Sequence, residues 1–172
     1  MRELTHFGLR GPGVHFEFGG IVVAAETEGD PVSYSFQVTF DCHDIQAMTR
    51  FWAVALNYSL QPPPEGFASW LEFAAAQSIP KELWHGAVID PAGPGPRLFF
   101  QPVPEGKTAK NRVHLDINVT DGAESKADGR LLALAHVDRC VEAGATLVGL
   151  FDGHDGWHIS MLDPEGNEFC IQ

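Results

Sequence analysis

Ile89-Asp90-Pro91-Ala92-Gly93 and Leu162-Asp163-Pro164-Glu165-Gly166 are one turn written twice, each leading into an apolar strand. Asp and Pro open tight turns, and glycine supplies the positive φ that closes them. Upstream of each turn lies a second match. A helix followed by Asn57-Tyr58-Ser59-Leu60 answers a helix followed by Gly144-Ala145-Thr146-Leu147. Asn and Gly share that slot because both tolerate the left-handed backbone that ends helices. Caps and turns recurring in one order read as two copies of a β-α-β-β-β unit.

Working outward, residues 35–40 alternate as a half-buried strand. Asp44 stands where a helix N-cap belongs, and Ile45, Met48, Phe51, Trp52 and Ala55 follow at helical spacing. Residues 58–60 restart a strand that Pro62-Pro63-Pro64 stops. Ser69-Trp70-Leu71-Glu72 is a capping box that opens a helical insert, and residues 78–84 add a short helical turn. Strands at 87–89 and 98–101 complete the first unit. The second unit has a strand at 113–119, a polar loop at 120–129 and a helix at 131–143. Leu131, Leu134, Ala135, Val137, Asp138 and Val141 form that helix's expected inner stripe. Strands at 146–148, 157–162 and 167–171 close the chain.

The fold class is therefore α+β: two βαβββ modules forming a curved mixed sheet around a cavity, with a helical insert in the first module and an N-terminal extension. Module one is residues 35–102, the connector 103–112 and module two 113–172. In the extension, residues 1–34, the β-prone runs Val14–Phe18 and Ile21–Ala25 joined by Gly19-Gly20 read as a hairpin.

The 172 residues suit one domain. A net charge of -12, from 23 acidic against 11 basic residues, opposes nucleic acid and anionic membranes as partners. Cys42, Cys140 and Cys170 are scattered, without a CxxC pair, which argues against a disulfide framework or a cysteine zinc site. Ile21–Ala25 is too short for a signal core or a membrane span, so the chain reads as cytoplasmic. No Gly-rich phosphate loop, nucleophile elbow or His-Glu-x-x-His occurs.

Four stretches carry a family resemblance. They are Phe51-Trp52, Arg97-Leu98-Phe99-Phe100-Gln101-Pro102-Val103-Pro104-Glu105, Asn111-Arg112-Val113-His114-Leu115-Asp116 and Asp163-Pro164-Glu165-Gly166-Asn167-Glu168-Phe169-Cys170. Across residues 35–172 the chain resembles the vicinal oxygen chelate superfamily, in its glyoxalase-like branch. That superfamily holds glyoxalase I, extradiol dioxygenases, fosfomycin-resistance enzymes and bleomycin-resistance proteins. The resemblance implies a homodimer and a small-molecule site inside the sheet. It also implies four inward ligand positions for a divalent metal, on the first and last strands of each half, usually His and Glu.

Carried onto this chain, those positions fall on Gln37, Gln101, His114 and Cys170, and a one-residue slip puts Phe100 in place of Gln101. Only His114 is a usual ligand. Glutamine is neutral and cannot offset a dication's charge as glutamate does. The expected site is therefore a pocket without a metal cofactor, a divalent metal being the alternative. In it His114 is the catalytic acid–base group, and Gln37 and Gln101 orient substrate oxygens. Trp52, Phe100, Trp157 and Cys170 complete the substrate-binding surface. The function implied is binding of a small oxygen-rich molecule, with lyase or isomerase chemistry; the alternative is a metal-free, drug-sequestering protein of bleomycin-resistance type. Asp152, His154, Asp155 and His158 form a second polar group that reads as a solvated loop. Lys107, Lys110, Arg112 and Arg97 read as a solvated linker, the alternative being that they steer an anionic substrate toward the sheet opening.

Overall fold

The structure is a computed structural model that describes residues 14–18, 21–25, 33–154 and 156–172. The chain divides at Ser35/Phe36 into two units. In the first, β1 (Val14–Phe18) and β2 (Ile21–Ala25) pair antiparallel with Phe18 opposite Ile21.

The second unit holds both modules. Module one runs β3 (Gln37–Cys42), α1 (Ile45–Leu56), β4 (Ser59–Leu60), α2 (Trp70–Ala76), a 3-10 turn (Lys81–Leu83), β5 (Gly86–Ile89) and β6 (Arg97–Pro102). Module two runs β7 (Asp116–Ile117), α3 (Lys126–Glu142), β8 (Thr146–Gly153), β9 (Gly156–Leu162) and β10 (Glu168–Ile171). The curved sheet is hydrogen-bonded as two four-stranded sheets of one topology, β3-β6-β5-β4 and β7-β10-β9-β8. In each, the first strand pairs parallel with the last and the other pairs are antiparallel. The insert of α2 and the 3-10 turn lies between β4 and β5 of module one, as the capping box predicts.

The repeat is visible in its hydrogen bonds. Asn57 has φ 54° and Gly144 φ 111°. Tyr58 N donates to Ala53 O and Ala145 N donates to Cys140 O, both at 2.9 Å, so the two helices end in one Schellman-type closure. Asp44 caps α1 by accepting from Ala47 N at 2.9 Å. Ser69 accepts from Glu72 N at 3.1 Å.

One core serves both modules. Met48, Phe51 and Trp52 of α1 meet Val88, Leu98 and Phe100 of the first sheet and Ile159, Met161, Phe169 and Ile171 of the second. The Phe169 ring lies 5.6 Å from Phe51 and 5.5 Å from Trp52. Burying apolar area that neither module could hide alone holds the halves together. His136, 3% exposed, makes a 2.8 Å hydrogen bond to Ala55 O at the end of α1. Arg139 donates to its Nδ1 at 2.7 Å, so Nε2 carries the proton given to Ala55.

Three expectations need correction. The strand at 113–119 shrinks to Asp116–Ile117, whose partner β10 is itself only four residues long. The second helix starts at Lys126, because Ser125 caps it by accepting from Asp128 N at 3.2 Å. Its inner stripe is Gly129, Ala133, His136, Val137 and Cys140, while Leu131, Leu134 and Val141 are exposed. Small side chains at this spacing let the helix approach closely; a Cβ on Gly129 would sit 3.3 Å from Thr120. Among the described residues no helix is long and apolar enough to cross a membrane.

Candidate functional site

Strand alternation sorts each sheet into a core face and an open face. On β3, Val38, Phe40 and Cys42 turn to the core, and Gln37, Thr39 and Asp41 to the open face. On β6, Leu98 and Phe100 are buried, and Arg97, Phe99 and Gln101 share the open face. The parallel register sets Gln37 opposite Arg97, Thr39 opposite Phe99 and Asp41 opposite Gln101. Gln37 Oε1 accepts from Arg97 Nη1 at 2.8 Å, and Gln101 Nε2 donates to Asp41 Oδ1 at 2.7 Å.

In module two, Asp116 pairs with Cys170, and His114 lies two residues before Asp116 on the same face. His114 Nδ1 is 2.8 Å from Asp116 Oδ1. One ligand atom from each of His114, Asp116 and Cys170 lies within 4.8 Å of the others, the one such group of three among the described residues. Ser160 Oγ and Cys170 Sγ are 3.7 Å apart. Burial pushes the Cys170 thiol up, which disfavours the thiolate. Burial likewise pushes Cys42 up to about 12 and Cys140 to about 11.

Between the sheets lies a cleft of about 250 Å³, walled by Thr39 and Asp41 on one side and His114 and Glu168 on the other, with Trp52 at its floor. Trp52 is 1% exposed, and its indole N–H reaches the buried carboxylate of Asp163 at 3.3 Å. Asp163 also accepts from Glu165 N and from both Asn167 nitrogens, which shapes the second Asp-Pro turn. At the rim, Glu168 binds Asn111 N at 3.1 Å, Lys107 at 3.0 Å and Lys110 at 3.8 Å. The Asn111 backbone donor and Lys107 hold its carboxyl down to about 2. Two lysines of the basic connector thus share one carboxylate at the cleft mouth.

The expected residues separate into groups. His114 and Trp52 line the cleft. Phe100 does not: it is fully buried, stacks 5.4 Å from Phe40 and belongs to the core. That fixes the register with Gln101, and not Phe100, on the open face. Trp157 lies on the core side of β9 beside Ile159, with Arg130 5.3 Å over its ring. Of Gln37, Gln101, His114 and Cys170, His114 and Cys170 converge with Asp116, while the two glutamines are hydrogen-bonded to Arg97 and Asp41 within sheet one. With two neutral glutamines among its donors, the set does not fit the His and Glu site that the resemblance implies. Asp116 and Asp41 are additions; alternation along 113–119 puts Asp116 on the face of His114, so that signal is in the sequence. In the second polar group, Asp152 pairs with Arg130 at 2.8 Å and His158 stacks 5.3 Å from Phe151. Asp155 lies outside the described residues.

A family model described as a glyoxalase-like domain matches residues 37–172. No curated protein matches the chain. Among solved structures, the chain is similar to a mutant of the fosfomycin resistance protein FosX from Listeria monocytogenes, complexed with Mn(II) and 1S,2S-dihydroxypropylphosphonic acid. Identity is 10%, coverage 83% of this chain and 90% of that one, and the TM-score 0.54. A glyoxalase/bleomycin resistance protein/dioxygenase family enzyme from Burkholderia phytofirmans PsJN gives 18%, 78%, 94% and 0.52 in the same order. FosX from Mesorhizobium loti gives 14%, 86%, 92% and 0.51. At such identities the likeness is one of fold.

Proposed function

This chain belongs to the glyoxalase-like domain family, and from that premise we propose that it binds a small oxygen-rich molecule in the cleft between its two sheets. The observation that carries the reading is the cleft itself, with His114 on one wall facing Thr39 and Asp41 on the other. Drug-sized ligands fill roughly 300–1,000 Å³, so about 250 Å³ suits a small metabolite. His114, oriented by Asp116, is the acid–base group for lyase or isomerase chemistry on that molecule. A metal-free sequestering protein of bleomycin-resistance type is the second reading, favoured by the two glutamines being engaged within their own sheet. The family premise also supports a homodimer, which sedimentation would read as twice the mass of one chain.

The test titrates the protein with vicinal diols, α-hydroxy acids, α-dicarbonyls and epoxides while following tryptophan fluorescence, since Trp52 floors the cleft. At least one class should saturate the signal, and Thr39→Phe, which fills the cleft, should weaken that binding at least tenfold. Turnover abolished in His114→Ala with binding retained identifies the enzyme. Saturable binding without turnover identifies the sequestering protein. Binding unchanged in both variants, or no binding by any class, overturns the reading.

A further inference from the structure

Among the described residues, Arg97 is held without a carboxylate partner on the open face of module one. Lys107 and Lys110 share the single carboxylate of Glu168, and Arg130 pairs with Asp152. Arg97 is held by two neutral groups instead. Its Nε donates to Gln61 Oε1 at 2.6 Å and its Nη1 to Gln37 Oε1 at 2.8 Å. Its guanidinium carbon lies 4.7 Å from the centroid of the Phe99 ring, which in turn stacks 5.0 Å from His85. Two amide oxygens and an aromatic face therefore fix the fork without discharging it. A guanidinium has about five N–H donors, and these contacts leave three of them unused.

No carboxylate pairs with Arg97 among the described residues. Asp41, on the same face of β3, is four residues beyond Gln37, roughly 13 Å along the strand. Asp90, nearer in sequence, already accepts from Ala92 N and Gly95 N at 2.8 Å each. A fixed, uncompensated fork on the open face of a chain with net charge -12 is preorganised for an anion that the protein does not itself supply.

We propose that Arg97 is an oxyanion site, taking the carboxylate, phosphate or phosphonate end of a small molecule lying along the open face of module one. Gln37 and Gln61 position the fork, and Phe99 backs it. Thr39 is one register step beyond Gln37, roughly 7 Å away, so a short molecule anchored at Arg97 reaches toward the cleft wall. The inference deepens the cleft reading by giving its ligand a charged end, and it rests on that reading for where the remainder of the molecule lies.

The test follows the Arg97 Nε–H resonance of the full-length protein by nitrogen-15 NMR. Sodium acetate, inorganic phosphate and methylphosphonate are titrated in turn at ionic strength held constant with sodium chloride. At least one oxyanion should move the resonance saturably. Acetate alone marks a carboxylate site; phosphate or methylphosphonate alone marks a phosphoryl or phosphonyl site. Binding followed on neighbouring amides should weaken at least tenfold in Arg97→Gln. It should also weaken in Gln37→Leu/Gln61→Leu, which keeps the charge and frees the fork. A resonance that no oxyanion moves saturably overturns the proposal on the wild-type protein alone, as does equal affinity in Arg97→Gln. Failure of the cleft reading would show separately, as neutral diols whose binding ignores Thr39→Phe.

Discussion

Replacing Glu165 should reveal how firmly module two holds the entry to α1. Glu165 follows Pro164 in the second Asp-Pro turn, yet its carboxylate accepts from His43 N at 2.8 and 2.9 Å and from Asp44 N at 2.7 Å. Those donors belong to the turn that leads into α1, some 120 residues earlier in the chain. A hydrogen bond to a charged group contributes about 1.5–3 kcal/mol, so two donors give about 3–6 kcal/mol before competition. Both are exposed, and water replaces much of what is lost. Side-chain caps of helix N-termini cost about 0.5–2 kcal/mol on removal, and two donors at this site place Glu165→Ala at about 2 kcal/mol. Glu165→Gln keeps a neutral acceptor roughly half as strong, so about 1 kcal/mol is expected. Urea unfolding followed by tryptophan fluorescence measures both, and the midpoint should fall at unchanged slope. A Glu165→Ala variant within about 0.5 kcal/mol of wild type would refute the claim that this carboxylate ties the modules together.

Three further outcomes follow from particular contacts. Burial, foremost, holds His136 below its usual 6.5, so its folded form favours neutral imidazole; its contribution is whole above 6.5 and is lost as pH falls, a decline that denaturation at stepped pH should find missing in His136→Gln. The Asn111 amide and Lys107 depress Glu168 to about 2 from 4.5, so its contribution is present above 4.5 and lost on acidification between those values; the acid-unfolding curve of Glu168→Gln should be flatter there. A Cβ on Gly86 would fall onto Thr49 Oγ1 and within 2.7 Å of Ile45 Cγ2, so Gly86→Ala should cost about 1–3 kcal/mol in thermal unfolding, and clearly less in a Thr49→Ala background.

The site was legible in part, and the residues show why. Alternation along a strand fixes which side chains share a face, so His114 with Asp116, and Gln37 with Asp41, can be read from spacing alone. It does not say which face meets the core. Phe100 and Gln101 exchange roles on a one-residue slip, and only packing of Phe100 against Phe40 and Trp52's neighbourhood decides between them. The same holds for α3, where leucines form a plausible inner stripe by periodicity. The helix instead turns its small residues and His136 inward, because close approach to α1 and a hydrogen bond to Ala55 are available there.

By itself the sequence determined the two βαβββ units, the caps at Asp44, Asn57, Ser69 and Gly144, and the paired Asp-Pro turns. These rest on backbone preferences that act over a few residues and need no distant partner. Only the tertiary structure decided which side chains converge: Glu165 on His43 and Asp44, Cys170 beside Asp116, and Arg97 between Gln37 and Gln61. Such meetings are settled by strand register and by competition for burial between segments far apart in the chain, and no local pattern encodes that competition.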